Sequence, residues 1–259
     1  MDHAHILSLA VLFAGALWAG AQNQLAGGGS FITLPALILT GMDARAANIT
    51  SAVALFPGQV TGGWMGRKNA SGTPSLSFRA LVILSLIGGA LGAVLLLLTP
   101  RNVFAHMVPW LVLFATAAFA YGSFGRKSPK NDNSSAADGP GGLGTFGAGA
   151  MQFGIAVYGG YFGGGIGFLM MAALALSHVP VRAAAATKNV LAGVMNFTAV
   201  LIFLFSGQVR WIQAGVACAG ALIGSFFGAR MLAHVNDKVL RIVVVVIGVA
   251  LTVGLFLRA

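Results

Sequence analysis

Apolar residues in this chain come in runs rather than in the alternating or every-third patterns of soluble strands and surface helices. They extend from Ile6 to Ala21, Phe31 to Thr40, Ala46 to Met65, Ala80 to Leu98 and Val103 to Tyr121. The second half repeats the series as Leu143 to Tyr161, Ile166 to Leu176, Ala183 to Phe205, Ile212 to Ala229 and Val239 to Leu257. Most of these runs approach the ~20 residues that a helix needs to cross a bilayer. The pattern therefore predicts an all-α membrane protein of about ten helical segments. Between the halves, GRKSPKNDNSSAADGPGG (Gly125 to Gly142) is polar and rich in turn formers, as a hydrophilic linker is. The expected organisation is a membrane repeat at 1–124, a linker at 125–142 and a second membrane repeat at 143–259.

The halves are copies of one unit. Laying Gly27-Gly28-Gly29 on Gly163-Gly164-Gly165 sets an offset of 136, and after the next apolar run the offset is 137. That register puts Ala46-Ala47 on Ala183-Ala184, Thr50 on Thr187, Ser51 on Lys188 and Gln59 on Asn196. Each copy thus carries a glycine break followed by a short apolar run and then by polar residues in an apolar setting. Phe31 to Thr40 covers only ten residues, ~15 Å of helix at ~1.5 Å each, or half of a ~30 Å hydrocarbon layer. We expect a half-helix after each glycine triplet, because irregular backbone survives at membrane depth only where protein or a watery cavity surrounds it.

Charge placement selects the relative orientation of the two halves. With five segments per repeat and the linker inside, 11 of the Lys and Arg residues fall on the inner side and 4 outside. The parallel alternative, with four crossings and a re-entrant loop per repeat, divides them 8 to 7. The excess of basic residues on cytoplasmic loops favours the first. The expectation is two inverted five-segment repeats with both termini periplasmic.

Composition agrees with the class: 58% of the residues are hydrophobic, 8% are charged, and the mean hydropathy is +0.89. The net charge of +10 sits in loops, with no basic run long enough to follow a nucleic-acid backbone, so no nucleic-acid partner is expected. The five acidic residues, Asp2, Asp43, Asp132, Asp138 and Asp237, all lie away from the middle of an apolar run, and there is no Glu. Cys218 is the one cysteine and the histidines are scattered, so neither a disulfide nor a metal or other cofactor is expected. The first twenty residues lack a basic n-region, and Ile6 onward reads as a retained helix.

Candidate chemistry gathers at the two breaks. Asn48, Ser51 and Gln59 share one face of the third segment, and Asn189 and Asn196, with Thr187 and Lys188 beside them, share a face of the eighth. The expected substrate-contacting residues are Gly28, Gly29, Ser30, Asn48, Ser51, Gln59, Gly164, Gly165, Thr187, Lys188, Asn189 and Asn196. Arg45, Arg182 and Gln24 are expected near the mouths. Amides and hydroxyls in membrane helices also join helix to helix, and Lys188 could instead snorkel to the headgroups; periodicity leaves these alternatives open. Gln22, Asn23 and Gln24 are three more polar groups in need of partners. Gly28-Gly29-Ser30 starts like a serine-nucleophile elbow, but Phe31-Ile32 follow and its closing glycine is missing, so an enzyme is not expected.

The run Ala26-Gly27-Gly28-Gly29, then Pro35, Gly41 and the Ala46 to Ser51 segment, resembles the TauE/SafE family of sulfite exporters, also called the TSUP permeases. Gly163 to Gly165 through Arg182, Ala183 and Thr187 looks like that family's second repeat, with Met171 where the first copy has Pro35 and Lys188 where a small hydroxyl residue is expected. The resemblance implies a multi-pass carrier of the bacterial inner membrane that moves small sulfur-containing anions such as sulfite, sulfoacetate or other organosulfonates, usually outward. Its partners would be the anion and the lipid bilayer; the oligomeric state stays open, a homodimer being one arrangement. Coupled uptake of the same anions is the alternative, with an intramembrane enzyme behind it.

Overall fold

The computed structural model describes residues 3–25, 27–124, 144–231 and 237–257; the linker expected at 125–142 lies outside them. Ten α-helices follow one another: α1 (His3–Leu25), α2 (Ser30–Leu39), α3 (Ala44–Gly66), α4 (Phe78–Leu98), α5 (Arg101–Phe124), α6 (Thr145–Tyr161), α7 (Ile166–Leu176), α8 (Val181–Leu204), α9 (Trp211–Met231) and α10 (Asp237–Phe256). Among the described residues, four helices are long and apolar enough on both counts to cross a membrane: α1, α4, α8 and α9. The chain is an all-α membrane protein with ten α-helices among the described residues, two of them, α2 and α7, short apolar pieces of 10 and 11 residues.

Both short helices begin at a glycine break and stop at a left-handed residue. Gly27 and Gly28 take φ of +86° and +80° before α2, and Gly163 and Gly165 take +75° and +77° before α7. The stops are Gly41 at φ +88° and His178 at φ +56°, which the offset of 137 places on each other. Each N–H closes back on its helix, Gly41 to Ile38 O at 2.9 Å and His178 to Ala175 O at 3.1 Å, as a left-handed C-terminal cap does. α3 starts two residues earlier than the apolar run suggests because the Asp43 carboxylate caps it, accepting from the Ala46 N–H at 3.1 Å. Gln22, Asn23 and Gln24 lie inside the last turn of α1.

Packing exchanges the halves. α1 packs on α9, the fourth helix of the other half, and α6 packs on α4. Both seams are made of small residues that let backbones touch. Gly220 meets Phe13 and Ala16, Gly224 meets Leu17 and Gly228 meets Ala21, so α1 and α9 run in the same direction. Gly88 lies on Phe153 and Ala156, and Gly92 on Gly160 and Tyr161, so α4 and α6 do likewise. The third helices run oppositely: Gly66 faces Ala186, Gly63 faces Asn189 and Val190, and Gln59 faces Gly193 and Asn196. α5 and α10 are also antiparallel, with the Trp110 ring on Phe256 and Thr116 on Gly248. Phe31, Phe104, Phe162 and Phe203 fill the largest buried apolar cluster.

Candidate functional site

The two glycine breaks meet. A methyl group on Gly27 would stand 3.1 Å from the Gly167 Cα, and one on Gly28 would strike the Phe168 ring at 2.8 Å. From the other side, Phe31 covers Gly164 and Gly165, at 3.2 and 3.1 Å from the same imaginary methyl groups. Each half therefore lays the aromatic ring at the start of its short helix over the other half's break. Chain reversal at these points is possible because the left-handed conformation carries no steric penalty in glycine.

Beside the breaks lies a cavity of about 30 Å³, lined by Asn23, Gln24, Gly27, Gly28, Gln59, Gly62, Gly163, Ile166, Gly167, Lys188, Asn189 and Ala192. At ~10–15 Å³ per water centre it has room for two or three waters. The antiparallel order of α3 and α8 puts residue 66 level with 186 and residue 63 with 190. By that count, each helix is level with its own counterpart near residues 57 and 194. Lys188 is about six residues, ~9 Å, from there, so the cavity is off centre, toward the α3 C-terminus and the α8 N-terminus.

Lys188 is the charge in this cavity. It is only 3% exposed, and its ammonium has neither a hydrogen-bond acceptor nor a carboxylate partner among the described residues. The one ion pair among them joins Arg101 to Asp43 at 3.8 Å, at the far end of α3. A lysine at membrane depth costs ~2.5–3.5 kcal/mol even on insertion scales, and an unpaired buried charge is worse than a paired one. Next to it, the first amides of α7, at Ile166 and Gly167, lack intrahelical partners by the geometry of a helix start. They find no acceptor among the described residues either, whereas Phe168 and Leu169 N–H both reach the Gly165 carbonyl. An ammonium and the positive end of a helix dipole thus converge on one small space, which is the arrangement that holds an anion.

The matching helix start in the first half is closed. The Asn23 side-chain carbonyl accepts the Gly29 N–H at 2.8 Å, filling the place an anion would take, and Ser30 does not line the cavity. The offset of 136 puts Gly159 opposite Asn23, so the α7 start has no such plug.

Of the residues expected from sequence, Gly28, Gln59, Lys188, Asn189 and Gln24 line the cavity. Gln24 is held there by its amide N–H to Gly58 O at 2.9 Å. Asn196 does not reach it: its amide donates to Gln59 Oε1 at 2.6 Å, joining the two aligned positions across the halves. Asn48 donates to Tyr161 O at 3.2 Å, and Ser51 shares a short hydrogen bond with Thr33. Thr187 accepts from the Ser71 N–H at 2.9 Å and donates to Ser71 O at 3.0 Å. Gly29, Gly164 and Gly165 shape the breaks without lining the space. Arg45 is tied to Gln208, Leu97 O and Thr99 O, at 3.1, 3.3 and 2.6 Å, and Arg182 is exposed. Sequence reasoning did not assign Gly27, Gly62, Gly163, Gly167 and Ala192 to the site, nor Asn23. Asn23 was readable as an amide needing a partner, and Gly27 and Gly163 as members of the two triplets, but Gly62, Gly167 and Ala192 carry no signal beyond their size.

A family model described as "Sulfite exporter TauE/SafE" matches residues 12–255. The chain is 30% identical over 246 residues to a probable membrane transporter protein of Haemophilus influenzae, covering 94% of this chain and 92% of that one. It is 27% identical over 255 residues to the probable membrane transporter protein YfcA of Escherichia coli K12, with 96% and 90% covered. It is 29% identical over 250 residues to the probable membrane transporter protein ORF9 of a Sinorhizobium species, with 95% and 92% covered. No solved structure matches it.

Proposed function

The chain belongs to the sulfite exporter TauE/SafE family, and from that premise we propose that it carries small sulfur-containing anions, such as sulfite, sulfoacetate or other organosulfonates, out across a bacterial inner membrane. The observation that carries this reading is the buried, uncompensated Lys188 sharing a cavity with the open start of α7. The ammonium and the Ile166 and Gly167 amides bind anion oxygens, while Asn23, Gln24, Gln59 and Asn189 supply neutral polar contacts that fix orientation. Apolar neighbours strengthen each of these interactions by excluding water.

Alternating access is the mechanism, with the two halves rocking about the meeting breaks. The opposite directions of α3 and α8, and of α5 and α10, support an inverted pair of repeats. With the linker inside, both termini are periplasmic and the cavity lies on the inner side of centre. Export needs no partner cation: with the inside negative, each net unit of negative charge moved out gains ~2.3 kcal/mol per ~100 mV.

The test is flux in proteoliposomes for Lys188→Ala and Gln59→Ala. Lys188→Ala is expected to lose at least tenfold in sulfite or sulfonate flux and Gln59→Ala severalfold, with both variants still monodisperse. Wild-type flux in both would remove the proposed site.

A further inference from the structure

We infer that this carrier works as an anion exchanger, taking a small anion back from the outside for each one it exports, and that Lys188 imposes the exchange. The inference rests on the transport reading above and concerns the half-cycle that reading leaves undescribed, the return of the empty carrier. To return, the protein must pass through a closed state in which the cavity holds no anion. With the halves packed together, such a state would enclose a lysine 3% exposed, in a space of about 30 Å³, with room for two or three waters at most.

Among the described residues no carboxylate stands beside that lysine. The chain has no Glu. Of its five aspartates, Asp43 caps the far end of α3 and pairs with Arg101, Asp237 opens α10, and Asp2, Asp132 and Asp138 fall outside the described residues. The α7 amides add positive potential rather than relieving it. The Asn23 carbonyl, one of the few nearby acceptors, is spent on the Gly29 N–H, and Gln59 Oε1 is spent on Asn196.

Closing around an anion pairs the lysine and satisfies the helix start. Closing around nothing leaves the cation and two donors with two or three waters at most, or obliges the lysine to give up its proton first, and either course is costlier than closing around an anion. The loaded carrier therefore crosses readily in both directions and the empty one slowly. An anion on the outer side is required for fast turnover.

The experiment uses the full-length protein in vesicles filled with radiolabelled sulfite, with the membrane potential clamped by potassium and valinomycin. Efflux is measured into gluconate, an anion too large for the cavity, or into unlabelled sulfite. The expected result is at least tenfold faster efflux into sulfite. Equal rates into the two media would overturn the exchange while leaving transport standing, whereas efflux no faster than from protein-free vesicles in either medium would overturn the transport reading and the exchange with it. In Lys188→Gln the empty site has no cation to strand, so the ratio of the two rates is expected to fall toward one at a lower maximal flux. A ratio in this variant as large as the wild type's would overturn Lys188 as the cause.

Discussion

Thr50 and Thr187, which the offset of 137 aligns, do matching work. Thr187 holds both the N–H and the carbonyl of Ser71, in the loop after α3, and Thr50 accepts from the Arg210 N–H, in the loop after α8, at 3.2 Å. Each hydroxyl pins the loop of the opposite half. Both side chains are fully buried, so removing the hydroxyl leaves backbone groups unmet, at ~1–3 kcal/mol for each such loss. Thr187→Val is expected to lower stability by about 2 kcal/mol, read as a lower melting temperature in detergent. It should leave anion affinity within twofold of wild type, because Thr187 points away from the cavity that its neighbour Lys188 lines. A large loss of affinity with unchanged melting would return Thr187 to the binding site.

Among the elements, α2 and α7 are defined by their ends. Gly165 is left-handed, and a methyl group there would lie 2.8 Å from the Ala115 Cβ. Gly41 is equally left-handed with nothing within 4 Å. Gly165→Ala combines backbone strain with a collision and is expected to cost about 2–4 kcal/mol, whereas Gly41→Ala carries the strain alone, about 1 kcal/mol. His178 holds the same conformation with a side chain that gains nothing from it, being exposed. Replacing it by glycine is expected to raise stability by about 0.5–1 kcal/mol with flux unchanged. Thermal melts of the three variants rank these effects. A fall in flux for His178→Gly would instead give that histidine a part in transport.

At the scale of the molecule, the two halves are joined where α3 and α8 run past one another. A Cβ on Gly66 would lie 3.7 Å from the Ala186 Cβ, close to the ~3.8 Å of a relaxed disulfide. Gly66→Cys with Ala186→Cys, in a Cys218→Ser background, is expected to cross-link under mild oxidant and to stop flux, which a reductant restores. Full flux in the cross-linked protein would mean that these helices need not part, and the rocking of the halves would have to be abandoned.

The membrane class, the ten segments and the two short helices after the glycine triplets were all legible in the sequence. They follow from local rules: lipid obliges each segment to satisfy its own backbone, which makes helices long and apolar and confines breaks to glycine-rich points. Lys188 was legible as well, because a cation inside an apolar run needs an explanation wherever it ends up. The use of the other polar residues was not. Asn48, Ser51 and Gln59 share a helical face on paper, but α3 spans 23 residues, and that face passes Tyr161, Thr33 and Asn196 in turn. Only Gln59 is at the level of the cavity. The tertiary structure alone decided that Asn23 closes one helix start while Gly159 leaves the other open. The physical reason is that periodicity specifies the direction in which a side chain leaves its helix, whereas the group it meets depends on the height and orientation of its neighbours, which for Asn48 and Gln59 lie more than a hundred residues away.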